Sequence, residues 1–330
     1  MTRVTSWRLW AAVRREPLLP VLAILLLALA GAYPEFATVA NLRNIAMQAS
    51  PLVIAAVGMT FVIMTGGIDL SVGSMLFLAA AIETTRAVVG LPTAVVFAVV
   101  CAAGVGMGLL NGAAVAFTQV PALVVTLAAM QVFRGAGGHV TGQQNIDLPA
   151  NLRGIGTATL LGVPAPVLLA AAVALTGGVV FRRTTFGRYV QAVGSSPGAA
   201  LDAGLPVRGV LVGVYALAGL LAAFASLTQT ARLGAVQPSI GQGYELTVIT
   251  AVVLGGTALF GGRGSIGGTV LGALVLTTVQ TGLVFSGASP YVFDIVRGGV
   301  LLAAVLAAGA RWRTVAHALR LTGRGRPSSA

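Results

Sequence analysis

Long apolar runs separated by short polar breaks make up most of this sequence, and one break stands out by its length. The runs are Leu18–Tyr33, Ile45–Thr65, Ser74–Val89, Leu91–Phe117, Ala122–Ala136, Ala158–Phe181, Gly209–Thr230, Tyr244–Leu259, Ser265–Ser286 and Tyr291–Ala308. Windows of about 20 uncharged residues recur, the length an α-helix needs to cross roughly 30 Å of hydrocarbon. The pattern predicts an all-α polytopic membrane protein with about ten transmembrane helices. Two runs end in glycine-rich breaks, GGIDLSVG (Gly66–Gly73) and Gly261–Gly268, which predict broken-helix segments. Pro34–Asn44, Gly137–Thr157 and Ala231–Gly243 read as connectors on one side. Thr118–Pro121 and the Gly261–Gly268 cluster read as turns on the other.

The longest break, Thr184–Arg208, follows Arg182 and Arg183 and fixes the orientation. Six runs precede it and four follow, so it shares one side with both termini. Arginines crowd that side: Arg3, Arg8, Arg14 and Arg15 before the first run, Arg188 and Arg208 in the break, and Arg311, Arg313, Arg320, Arg324 and Arg326 after the last run. Basic loops stay cytoplasmic, so both termini are expected to be cytoplasmic. The domain reading is a cytoplasmic segment 1–17, a transmembrane domain 18–310 containing the cytoplasmic loop 184–208, and a basic cytoplasmic tail 311–330.

Composition sharpens this picture. The chain is 57% hydrophobic and 8% charged, against roughly a quarter charged in soluble domains. In a soluble protein a net charge of +12 would suggest nucleic acid. Here the basic groups flank apolar runs and suit anionic membrane lipid instead. Every basic residue is Arg, and no Lys is present. Cys101 lies alone inside a run, which excludes an intramolecular disulfide and a cysteine metal cluster. Leu18–Tyr33 has no convincing small-residue cleavage site after it.

Candidate chemistry is sparse. Asp69 lies between two apolar runs, where a carboxylate costs about 2.5–3.5 kcal/mol at a helix centre. It is expected to cap the next helix near the inner surface, to line a transport path, or to do both. Gly104, Gly108 and Gly112 form a ladder for close helix packing, repeated by Gly264, Gly268 and Gly272. The glycine stretch Gly255–Gly268 is no phosphate-binding loop, because that loop needs a Lys. His139 and His317 lie far apart, and no spacing reads as a metal site. No G-x-S-x-G elbow supplies a nucleophile, so no catalytic residue is named. Glu83, Glu245 and Asp294 are expected at helix ends near the interface, with a cavity as the alternative for Glu245.

Four segments resemble a known family: Gly58–Ser74, Asn111–Gly135, Thr184–Val207 and Glu245–Ala273. In this order, and across nearly the whole chain, they are similar to the ribose-type permeases of bacterial ABC sugar importers. That family includes permeases for ribose, xylose, rhamnose and autoinducer-2. The resemblance implies a subunit of the bacterial inner membrane that pairs into a homo- or heterodimer. It also implies a cytoplasmic ABC ATPase and an extracytoplasmic sugar-binding protein as partners, and a small sugar as substrate. ATP and Mg would be bound by the ATPase, leaving this chain without a cofactor, and nucleic acid is no partner.

Carried over by residue, the resemblance makes Thr185, Phe186, Gly187, Arg188, Gly194, Ala199, Ala200 and Gly204 the loop that couples to the ATPase. Gly67, Asp69, Leu70, Ser71 and Gly73 match the family's first signature. Gly67, Asp69, Ser71 and Gly73, with Asn111 and Glu245, are expected along the path or its gate. The chain departs from the family at Gly194, Ser195 and Ser196, where G-x-N is common. A short amphipathic helix around Tyr189–Leu201, bent by Gly194 and Pro197, would enter a groove of the ATPase. The connectors Gly137–Thr157 and Ala231–Gly243 would receive the binding protein. An ion-coupled secondary transporter of small polar solutes is the alternative. It would usually carry several ionisable residues at mid-membrane, where Asp69 is nearly the only candidate. A membrane-embedded enzyme would need a catalytic cluster.

Overall fold

The structure, a computed structural model, describes residues 16–303, 305 and 306. The arginines before Glu16 and the basic tail 311–330 with His317 lie outside the described residues. Helices form at each of the ten apolar runs. They are α1 (Leu18–Ala32), α2 (Val39–Met64), α3 (Val72–Glu83), α4 (Thr93–Phe117) and α5 (Ala122–Thr141). A short α6 (Ala150–Thr157) precedes α7 (Ala165–Arg183), and α8 (Thr185–Ser195) and α9 (Pro197–Asp202) follow it. The bundle is completed by α10 (Val207–Leu233), α11 (Tyr244–Leu254), α12 (Ile266–Phe285) and α13 over residues 290–303. Five of these, α2, α4, α7, α10 and α12, are long and apolar enough to cross a membrane by length and composition.

Two helices form the core. Every residue of α2 from Ala49 to Met64 is buried, so this helix meets protein on all sides. It packs on α10, where Gly58 faces Ala218 and Leu221. The glycine ladder of α4 does what its spacing predicts. Gly104 and Gly108 lie against the backbone of Gly219 and Tyr215 on α10, and Gly219 lies back against Gly104 and Gly108. Such backbone-to-backbone contact maximises dispersion where no hydrophobic effect drives helices together. On α12, Gly268 and Gly272 meet the backbone of Gly255 and Ala251. Gly264 does not extend that ladder, because it precedes Ser265, whose hydroxyl caps α12 by accepting from Gly268 N at 3.2 Å. Thr60 on α2 and Thr269 on α12 share a buried hydrogen bond of 2.8 Å.

Several boundaries differ from the hydropathy reading, each for a local reason. The third run yields only the 12 residues of α3, about 18 Å at roughly 1.5 Å per residue. It stops at Glu83 because the Thr84 and Thr85 hydroxyls take the carbonyls of Ala81 and Ile82. The eighth run yields 11 residues, ending where Gly255 and the left-handed Gly256 (φ 86°) break it. Conversely, α5 passes through Gly137 and Gly138 to Thr141. Those glycines pack on Phe77 and Gln143 rather than ending the helix, and Gly142 ends it in the left-handed region. The expected loop Gly137–Thr157 is therefore half helical, with Gly156 of α6 seated on the Ala231 carbonyl.

Small strands tie the connectors together. Ile146–Asp147 (β1) pairs antiparallel with Ala235–Val236 (β4), joining the two connectors expected on one side. Thr159–Leu160 (β2) and Val163–Pro164 (β3) form a hairpin ahead of α7. At the opposite end, Arg208 lies over the Phe117 ring at 5.6 Å, bringing the long break beside the turn after α4.

Candidate translocation and coupling site

The break after α2 is a short stretch of non-helical backbone packed inside protein. Gly66 takes φ 81°, which a side chain would disfavour, and the chain turns toward α3. Asp69 is 1% exposed and Ser71 is fully buried. Asp69 Oδ1 accepts from Ser71 N at 2.8 Å and from Ser71 Oγ at 2.6 Å. Asp69 is thus not the N-cap of α3. It folds back on Ser71, which occupies the cap position. Ser71 Oγ in turn accepts from Asn111 Nδ2 on α4 at 2.8 Å. Thr126 of α5 accepts from Leu70 N at 3.1 Å, and its hydroxyl lies 3.1 Å from the Ile68 carbonyl. Thr126 of α5 therefore supplies bonds that the irregular backbone loses, while Asn111 of α4 holds the Ser71 side chain. Asp69 Oδ2 and Tyr215 Oη are buried without a partner among the described residues. A Cβ on Gly67 would stand 2.7 Å from that Tyr215 oxygen.

The second break lies against the first. Gly261 and Gly262 take φ 88° and 77°, and Gly262 N donates to the Met64 carbonyl at 3.0 Å. The two glycine-rich breaks are thus in direct contact.

The expected coupling loop is anchored on the same spot. Thr184 caps α8 by accepting from Gly187 N at 3.2 Å, so the helix starts at Thr185, four residues before the expected start. Gly187 sits on the carbonyls of Val180 and Phe181, and Gly194 on that of Met64. Gly194 is therefore inside α8 and does not bend it. The bend falls at Ser196, whose hydroxyl caps α9 ahead of Pro197. Phe186 stacks at 6.2 Å on Phe61 of α2. Val190, Val193 and Ala200 are buried, whereas Arg188 and Ala199 are exposed. Gly204, at φ 76°, ends α9.

A third polar group sits at the start of α11. Arg134 of α5 donates to the Ile240 carbonyl at 2.7 Å and lies 4.7 Å over the Phe77 ring. Arg297 of α13 donates to the Gly243 carbonyl at 3.1 Å and to Thr247 Oγ1 at 2.8 Å. Gly73 lies against the Gly241 carbonyl, and its missing Cβ would be 2.8 Å from Glu245 Oε2.

Of the path candidates, Asp69, Ser71 and Asn111 thus form one buried network, and Gly73 meets Glu245 next to it. Glu83 is at a helix end, as expected, and is fully buried, accepting from Ser226 at 2.8 Å and Thr230 at 2.6 Å on α10. Its place near a run's end hid the helix turns packed beyond it. Arg134, Thr126, Tyr215 and Arg297 were missed. An arginine inside the apolar run Ala122–Ala136 was the available signal for the first.

A bundle of apolar helices with short half-helices and buried breaks is the architecture of a membrane transport subunit. The chain belongs to the family described as the branched-chain amino acid transport system permease component, whose model matches residues 41–305. It is 41% identical over 278 residues to the ribose import permease protein RbsC of Escherichia coli K12, covering 83% of this chain and 87% of the relative. The ribose import permease protein RbsC of Bacillus subtilis 168 is 38% identical over 279 residues, with 83% and 86% covered. The L-arabinose transport system permease protein AraH of Escherichia coli K12 is 37% identical over 294 residues, with 88% of each covered. No solved structure matches significantly. The chain is a permease component of a transport system and a multi-pass protein of the bacterial inner membrane.

Proposed function

We propose that this chain is the membrane subunit of an ABC importer that moves a monosaccharide delivered by an extracytoplasmic binding protein. A second permease subunit completes the path, and a separate cytoplasmic ATPase supplies the work. Both termini and the α8–α9 segment face the cytoplasm. The observation that carries this reading is the junction at Met64. Its carbonyl ends α2, accepts from Gly262 N and supports Gly194 of α8. A displacement of α8 therefore acts on both breaks at once. Exposed Arg188 and Ala199 face away from the bundle, where an ATPase groove can reach them. The half-helices α3 and α11, each starting at a break or re-entrant segment, are the parts that move as the path opens alternately to each side.

Reconstitution tests this. The chain is placed in liposomes with its ATPase and its binding protein, and uptake of labelled ribose and arabinose is followed. Uptake is expected only with ATP and both partners. Uptake by the chain alone under a proton or sodium gradient would establish the ion-coupled alternative instead.

A further inference from the structure

We infer that Arg134, Glu245 and Arg297 form a contact site for a neutral, hydroxyl-rich molecule within the bundle, a step that rests on the importer reading above. Three elements, α5, the start of α11 and α13, bring these charges around the Gly241–Gly243 backbone. Both guanidiniums are held in place. Arg134 is fixed by the Ile240 carbonyl and the Phe77 face, and Arg297 by Gly243, Thr247 and, at 3.0 Å, Asp294.

Glu245 is placed differently. Its carboxylate is half-buried and within electrostatic reach of both arginines. Yet Arg297–Asp294 is the one ion pair among the described residues, so Glu245 stays more than 4.0 Å from either guanidinium. Among the described residues no other side chain donates to it. The carboxylate therefore asks for donors and the remaining guanidinium N–H groups for acceptors. A cation would face two arginines, and an anion would face Glu245. A hydroxyl both donates and accepts, so a polyol bridges the gap without either penalty. Gly73 fixes where the carboxylate stands: a Cβ there would be 2.8 Å from Glu245 Oε2, so only glycine lets Glu245 pack against the start of α3.

The test uses the complete transporter with its ATPase and binding protein, and compares wild type with Glu245→Gln and Arg297→Gln. Arg134 is left unchanged because it also packs on Phe77. Uptake of ribose and 2-deoxyribose is measured alongside the ATPase stimulation caused by sugar-loaded binding protein. Glu245→Gln is expected to lower ribose uptake about tenfold and to change the ribose to 2-deoxyribose ratio, with stimulation kept within about twofold. Arg297→Gln is expected to act in the same direction. Wild-type uptake rates, or an equal loss for both sugars accompanied by lost stimulation, would overturn the inference. Failure of the wild type to import any sugar with ATP would instead count against the importer reading.

Discussion

Gly194 of α8 rests on the carbonyl oxygen of Met64, the last residue of α2, so no side chain fits between the two. Gly194→Val must push α8 off the end of α2. The expected outcome is a protein that still inserts, whose uptake in the reconstituted complex falls at least about tenfold, equivalent to ~1.4 kcal/mol. ATPase assays on the same vesicles check the cause: stimulation by loaded binding protein should fall together with uptake.

Arg188 lies one residue beyond the buried Gly187 and is exposed. Reversing its charge leaves the packing of α8 intact, because Phe186, Val190 and Val193 carry that. Arg188→Glu should therefore match wild type in membrane yield and melting temperature while losing most ATPase stimulation. Normal uptake by this variant would remove the coupling role assigned to it.

The Asn111–Ser71–Asp69 chain is a single network. Asn111→Leu removes one donor to Ser71 Oγ, and Ser71→Ala removes both bonds that hydroxyl makes. Each is expected to destabilise the protein by about 1–3 kcal/mol, the cost of unmet buried polar groups. Because the residues share one hydroxyl, the double variant should cost clearly less than the two losses added. Thermal unfolding in detergent measures this.

Glu83 meets hydroxyls alone. Glu83→Gln keeps an acceptor and a group of the same shape, so a shift of only a few degrees in melting temperature is expected. Glu83→Leu strands Ser226, whose hydroxyl has no other partner among the described residues. Thr230 can turn its hydroxyl to the Ser226 carbonyl at 2.9 Å. The Leu variant should lose about 1–3 kcal/mol, visibly more than Gln in the same melt.

Hydropathy and glycine spacing made much of this architecture legible. The ten runs, the Gly104–Gly112 ladder and the helical character of the Thr184–Arg208 break follow from periodicity and small-residue patterns that act locally. What escaped depends on contacts across the chain. The partners of Glu83 stayed hidden because nothing near it in sequence announces Ser226 and Thr230 on α10. Gly137 looked like a helix end because its packing partner, Phe77, lies on another helix. The Thr185–Gly204 motif was legible by resemblance, but the reason for Gly194 was not. It lies in Met64, which no local pattern marks.

The two truncated helices carry one more consequence. The starts of α3 and α11 converge where Gly73 meets Gly241 and Glu245, so two positive helix ends meet at one junction. Glu245 stands in the first turn of α11, so its carboxylate offsets both ends and couples the two half-helices electrostatically.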